Sequence, residues 1–309
     1  MGYKLAGYDH LGGVEIDLPI ADVYKANHNP KIFYIEDIRE FNKRTDLPKE
    51  LYNLDLLDGS PPCSSFSMSG NREKDWGKKK VFKEEQAKQI LDDLFFHYIE
   101  LAKKLQPKVV LAENVKGLIQ GNAKSYAHKI KAGFEDAGYK VQLFLLNSAT
   151  MGVPQKRERV FFICQRADLE MPELNLFFNY HPINYGEIRI QGDADMSWTV
   201  LDEKMWHKKR KGDRNYGYIY KREKGKESNW NSKFIYDTDV CNTIAFSGKL
   251  ISFEEPKRLS KTELKLCGSY PLDYNFKSVN PKYLIGMSVP PVMMAQIAHQ
   301  IYLQWLQKL

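Results

Sequence analysis

The chain has 309 residues, 43% of them hydrophobic, and a formal net charge of +7. That length suits one large domain or a large and a small one. No run nears the roughly 20 apolar residues of a membrane span, and no basic stretch followed by an apolar one marks a secretory signal. Four scattered cysteines, Cys63, Cys164, Cys241 and Cys267, form neither a disulfide framework nor a zinc spacing, which points to a reducing, cytoplasmic setting.

The first half alternates short apolar strands with longer helical patterns. Residues 11–16 and 31–35 read as strands around a helix at 20–28, and 54–59 reads as a strand with a buried apolar run. Residues 84–105 place apolar side chains at helical spacing until Pro107 stops them. Strands follow at 108–114, 140–147 and 159–164, with a helix near 123–137. Strands separated by crossover helices imply an α/β, doubly wound, mostly parallel sheet, in which ligands bind beyond the carboxyl ends of strands. Glu15, Cys63 and Glu113 all lie just past such ends. From about 168 to 250 the chain turns polar, aromatic and irregular, as in a smaller second domain. The last twenty residues read as a proline-initiated helix that packs back on the first domain. The expected division is therefore 1–167, 168–250 and 251–309.

Charge is unevenly placed. Between Lys204 and Lys226 ten Lys or Arg stand against two acids, so the rest of the chain is close to neutral. Trp206, Tyr216, Tyr218 and Tyr220 are interleaved with them. Such a segment is the electrostatic footprint of a nucleic-acid contact, in which Lys208, Lys209, Arg210 and Lys211 form the densest run, or it is a solvated loop.

Three stretches carry chemistry. "LLDGSPPCSSFS" (56–67) holds Cys63 rigidly after two prolines, followed by Ser64, Ser65 and Ser67, whose hydroxyls suit phosphate or sugar contacts. "AENVKGL" (112–118) sets Glu113 beside Asn114 at a strand end. "GVPQKRERVFFI" (152–163) puts Gln155, Arg157 and Arg159 at a strand entrance, with the two arginines on one side by strand alternation.

In this order, "GSPPCSSFS", "ENV" and "QKRER" resemble the signature blocks of the cytosine-5 DNA methyltransferases. "EID" (15–17), "IEDIRE" (35–40), "RLSKTELKLCGSYPLDYNF" (258–276) and "GMSVPP" (286–291) resemble further blocks of that family. The likeness covers most of the chain outside roughly 170–240. It implies a Rossmann-like methyltransferase fold with a smaller, irregular target recognition domain. It also implies that S-adenosyl-L-methionine donates a methyl group to carbon 5 of a cytosine flipped out of double-stranded DNA.

By the same resemblance Cys63 attacks carbon 6, Glu113 meets N3 and the exocyclic amine, Arg159 holds O2, and Arg157 sits beside the thiol or a phosphate. Glu15 with Ile16, Asp37 with Ile38, and Ser288 with Val289 are the implied cofactor contacts. Ser65, Ser67, Gln155 and Thr243, on "NTIAFSG" (242–248), are implied DNA contacts. Two other readings are a tRNA cytosine methyltransferase and a non-catalytic DNA-binding subunit.

The family usually opens with a strand and a Phe-x-Gly-x-Gly turn, for which this sequence shows no match. A truncated sequence, a second chain supplying the block, or a degenerate protein would each account for that, and the intact catalytic blocks favour truncation. The chain alone is expected to bind cofactor poorly. Met287 stands where the family usually has Asn.

Overall fold

The structure is a computed structural model that describes residues 1–62, 93–195, 197–228 and 230–309. A single turn, α1 (Gly2–Leu5), precedes strand β1 (Gly12–Val14), helix α2 (Leu18–His28), strand β2 (Ile32–Tyr34) and helix α3 (Ile38–Lys43). Asp17 and Asp37 each cap the helix that follows them, their carboxylates accepting backbone N–H groups, which is why the chain turns from strand to helix at these acids. Strand β3 (Leu56–Gly59) leads to the 63–92 stretch. Beyond it come helix α4 (Leu94–Leu105), strand β4 (Val109–Val115), helix α5 (Lys124–Asp136) and strands β5 (Tyr139–Asn147) and β6 (Glu158–Arg166). The part of the 84–105 helix before Asp93 lies outside the described residues.

The strands form two separate pieces of sheet. One has β1 parallel to β2, and the other has the order β3-β4-β6-β5. β3 and β4 are parallel, while β6 runs antiparallel to both β4 and β5. The cause is the short 148–157 connection, which has no room for a crossover helix. β4 pairs on both edges and is buried along almost its whole length, as its unbroken apolar start requires. Among the described residues β3 pairs only with β4, and it is half-exposed, not the buried strand its leucines suggest.

Helices cover both faces of the larger sheet. α4 and α5 press Phe95, Tyr98, Ile130 and Phe134 onto one face, against Val110, Ala112 and Phe162. Gly59 ends β3 without a side chain because a Cβ there would lie 2.4 Å from the Tyr98 ring. Residues Met293, Ile297, Ile301 and Trp305 cover the other face, three of them on the last helix, introduced below. A further cluster joins Val14, Ile32 and Tyr34 of the small sheet to Leu57, Leu101 and Leu105 of the large one, so the two pieces share one apolar floor while each leaves an edge strand, β1 or β3, paired on one side.

After residue 168 come short helices α6 (Tyr185–Ile188), α7 (Val200–His207) and α8 (Tyr216–Lys224), then parallel strands β7 (Ser232–Ile235) and β8 (Lys249–Ser252). Met205, Tyr216, Ile219, Phe234 and Ile251 make their core, ringed by Trp198, Trp206 and Trp230. At its side the fully buried Asp202 takes hydrogen bonds from Thr199 (2.7 Å), Tyr216 (2.9 Å) and Lys249 (2.8 Å), and pairs with Arg258. Helices α9 (Lys261–Cys267), α10 (Pro281–Met287) and α11 (Pro291–Gln304) complete the chain. α11 packs against α1 and the large sheet.

Candidate active site

The antiparallel β4–β6 pair builds the site. Glu113 stands opposite Phe161, and Arg159 lies two residues before Phe161. Glu113 and Arg159 are therefore diagonal neighbours on one face of the sheet. Their side chains meet, with Arg159 Nε 2.7 Å from Glu113 Oε1. Both are largely withdrawn from water, with side-chain exposures of 15% and 9%.

Burial raises the Glu113 pKa above the usual carboxyl range, opposed by the charges of Arg159 and Arg157 and by the Ser60 hydroxyl. A buried carboxyl that keeps its proton more readily than a free one can donate a hydrogen bond as well as accept one. Next to it the buried Asn114 donates from Nδ2 to Pro61 O at 3.1 Å. That bond ties the end of β4 to the chain two residues before Cys63. Cys63, Ser64, Ser65 and Ser67 themselves lie outside the described residues.

Arg157 and Gln155 reach into the part of the chain beyond residue 240. Arg157 is 1% exposed. It donates to Ile244 O (3.3 Å) and Gly286 O (2.7 Å), while its Nε has no hydrogen-bond partner among the described residues. Burial and then the neighbouring Arg159 push its pKa down to about 9, so it stays charged at neutral pH.

Gln155, expected to meet nucleic acid, is fully buried and spent on the protein. It donates to Cys267 O (3.3 Å) and accepts from Ile244 N (3.0 Å). The backbone between them adds Lys156 N to Cys241 O at 2.8 Å. Thr243 donates its hydroxyl to Lys156 O. The QKRER stretch thus has two parts: Arg159, within β6, pairs with Glu113, and Gln155 and Arg157, before the strand begins, hold the loop from Cys241 to Ile244.

The basic run is less free than its sequence suggests. Lys208 pairs with Glu223, and the Lys209 ammonium lies 3.0 Å from the Trp206 ring centroid. Arg210 and Lys211 are exposed, and no ion pair engages them among the described residues. The partner of Lys208 comes from α8, folded against the end of α7, which no local pattern reveals, whereas Trp206 is only three residues before Lys209.

The implied cofactor contacts are gathered at the ends of β1 and β2. Glu15 follows β1, accepts from Asp17 N at 2.9 Å, and has its pKa raised by burial, with no cation paired to it among the described residues. Ile16 is 40% exposed beside it. Asp37 accepts from Arg39 N (2.8 Å) and pairs with its guanidinium (3.0 Å), and Ile38 packs into the floor below. A half-buried carboxylate that no cation pairs with among the described residues, beside an exposed apolar side chain, fits a ligand that brings hydroxyl donors and a flat ring. Ser288 is already engaged, with Tyr270 Oη at 2.5 Å and Leu284 O at 2.7 Å, and Val289 packs under α11.

Residues 1–303 match the family model described as C-5 cytosine-specific DNA methylase. Among curated proteins, the chain is 35% identical to the type II methyltransferase M.FnuDI of Fusobacterium nucleatum over 66% of this chain, and the match spans 53% of that protein. It is 28% identical to M1.HphI of Haemophilus parahaemolyticus over 97% of this chain and 82% of that one. Among solved structures, its fold is similar to a DNA modification methyltransferase encoded in an E. coli prophage, with TM-score 0.70 and 19% identity over 98% and 94% of the two chains.

Proposed function

The chain belongs to the C-5 cytosine-specific DNA methylase family, and on that premise we propose that it moves a methyl group from S-adenosyl-L-methionine to carbon 5 of a cytosine within a specific sequence of double-stranded DNA. The observation that supports this reading most is the Glu113–Arg159 pair, a buried proton-sharing acid and a cation on adjoining strand ends. Its neighbour Asn114 is tied to the chain just before Cys63.

Carbon 5 of cytosine is a weak nucleophile, and the residues correct that in sequence. The Cys63 thiolate adds to carbon 6, breaking the 5,6 double bond and pushing its electron pair toward carbon 5. Glu113, with its raised pKa, hydrogen-bonds at N3, where negative charge would otherwise build up, and Arg159 does the same at O2. Arg157 and Arg159 add a positive field that favours thiolate over thiol. When bound, S-adenosyl-L-methionine would supply an electrophilic methyl group to carbon 5, the broken S–CH3 bond leaving its electron pair on the sulfur of S-adenosyl-L-homocysteine. A base then removes the carbon 5 proton, the double bond reforms, and Cys63 leaves as thiolate. Glu15 would accept the cofactor's ribose hydroxyls, Asp37 its adenine amine, and Ile16 and Ile38 would flank the ring. Residues 168–250 would read the DNA, with Arg210, Lys211 and Thr243 against its backbone.

Methyl label from S-adenosyl-L-methionine is expected to enter duplex DNA as 5-methylcytosine in one sequence context. Label in tRNA alone overturns the DNA reading in favour of an RNA substrate. Cofactor binding with label in neither would mean a non-catalytic DNA-binding protein.

Among the described residues β1 and β3 each pair on one side only, which supports one further part of the proposal, an extended segment carried by a second chain that pairs between them. Co-expression with a chain bearing a Phe-x-Gly-x-Gly strand is expected to tighten cofactor binding measured by calorimetry. Unchanged affinity for the cofactor removes this part and leaves the rest standing.

A further inference from the structure

The loop held by Arg157 has a second face. Ile244 O accepts from Arg157 on the side of the active site. Thr243 and Ser247 line a shallow cleft that opens to solvent, together with Lys233 of β7, Lys249 of β8 and Lys282 of α10. No Asp or Glu is among its described lining residues.

Lys249 is neutralised by Asp202 at 2.8 Å. Lys233 and Lys282 have no ion-pair partner among the described residues. Lys282 is half-buried and donates to Gly248 O. Its burial and the neighbouring charge of Arg258 push its pKa down, against a weaker pull from Asp195. Ser247 Oγ accepts from Asn231 at 3.1 Å, which leaves its own proton to donate. Two cations from separate elements that no ion pair engages among the described residues, converging with a hydroxyl, make a positive potential that an anion relieves.

We propose that this cleft seats a backbone phosphate of the DNA, with Lys233 and Lys282 as its cations and Ser247 as a hydrogen-bond donor. It is separate from the Glu113–Arg159 pair and lies across one loop from it. The inference rests on the DNA reading above. Seating a phosphate here would fix the register of the duplex against the loop that Arg157 and Gln155 hold.

The test is the affinity of the full chain for a mixed-sequence duplex at several salt concentrations, for wild type, Lys233→Gln, Lys282→Gln and the double variant. Each lost phosphate contact is expected to lower the slope of log affinity against log salt by about 0.9. Lys282→Arg is expected to keep the wild-type slope, and cofactor affinity is expected to stay unchanged in all variants. If Lys282→Gln lowers the melting temperature, the exposed Lys233 carries the test alone.

A wild-type slope retained in Lys233→Gln and the double variant overturns the proposal while leaving DNA binding intact. If the substitutions weaken binding of inorganic phosphate but not the DNA slope, the cleft takes a free anion instead, which also overturns it. A wild-type chain that binds no duplex at all overturns the underlying DNA reading.

Discussion

Cys63→Ser is expected to abolish methyl transfer, by at least about a thousandfold, the scale on which deleting a covalent nucleophile acts, while DNA affinity stays near wild type. A serine hydroxyl is almost wholly un-ionised at neutral pH, and the positive field of Arg157 and Arg159 is too small to change that. Addition at carbon 6 is then the step lost, and nothing downstream of it proceeds. DNA binding depends on phosphate contacts and base-edge contacts elsewhere, so it is spared. A duplex carrying 5-fluorocytosine at the target gives the complementary readout. Fluorine cannot leave as a proton does, so wild type with cofactor is expected to stay covalently attached through Cys63, while Cys63→Ser does not. Substantial turnover by Cys63→Ala would exclude the covalent route altogether.

Glu113→Gln is expected to cost roughly two to four orders of magnitude in turnover, the range for a group that manages a proton in the transition state. Gln keeps the shape but cannot lend a proton with a carboxyl's acidity. The folded carboxyl has a raised pKa because of burial. It therefore stays protonated above the ordinary carboxyl range, about 4.3 in model peptides, and loses its proton as pH rises through the folded value. The wild-type pH profile should show that loss as a limb that Glu113→Gln lacks.

Stability carries the same sign. A raised acid contributes stability that is complete below its unfolded pKa and lost as pH rises through the folded one. Above its folded pKa the ionised Glu113 is a burden despite Arg159, so in that range Glu113→Gln is expected to unfold at an equal or higher urea concentration than wild type. A variant that loses activity and stability together would show that Glu113 acts mainly as the counter-ion of Arg159.

The strands and helices of the first half were legible because their apolar residues repeat with clear periods, and the boundaries fall within a few residues of expectation. Strand direction was not, because alternation is identical for parallel and antiparallel pairing. This matters for the site. Arg159 begins its strand and Glu113 is near the end of its own, so a parallel pair would hold them at opposite ends of the sheet. Only the reversal of β6 brings them together.

The acids after β1 and β2 were legible as strand-end residues. The roles of Gln155 and of Lys208 were not, because each is decided by a partner far along the chain: Cys267 and Ile244 for one, Glu223 for the other. The half-exposure of β3 escaped notice for a related reason, since a run of leucines reports its own hydrophobicity and not whether both its edges are paired.

The hold that Gln155, Lys156 and Arg157 keep on the loop and helices beyond residue 240 falls almost wholly on main-chain atoms: Cys241 O, Ile244 N and O, Cys267 O and Gly286 O. A peptide group is the same whatever side chain it bears. The segments beyond residue 240 can therefore change side chain at these positions while their attachment to residues 155–157 endures. On the proposed function, in which residues 168–250 read the DNA, a graft of a foreign segment need reproduce only the backbone path through these few positions to leave Glu113 and Arg159 in place.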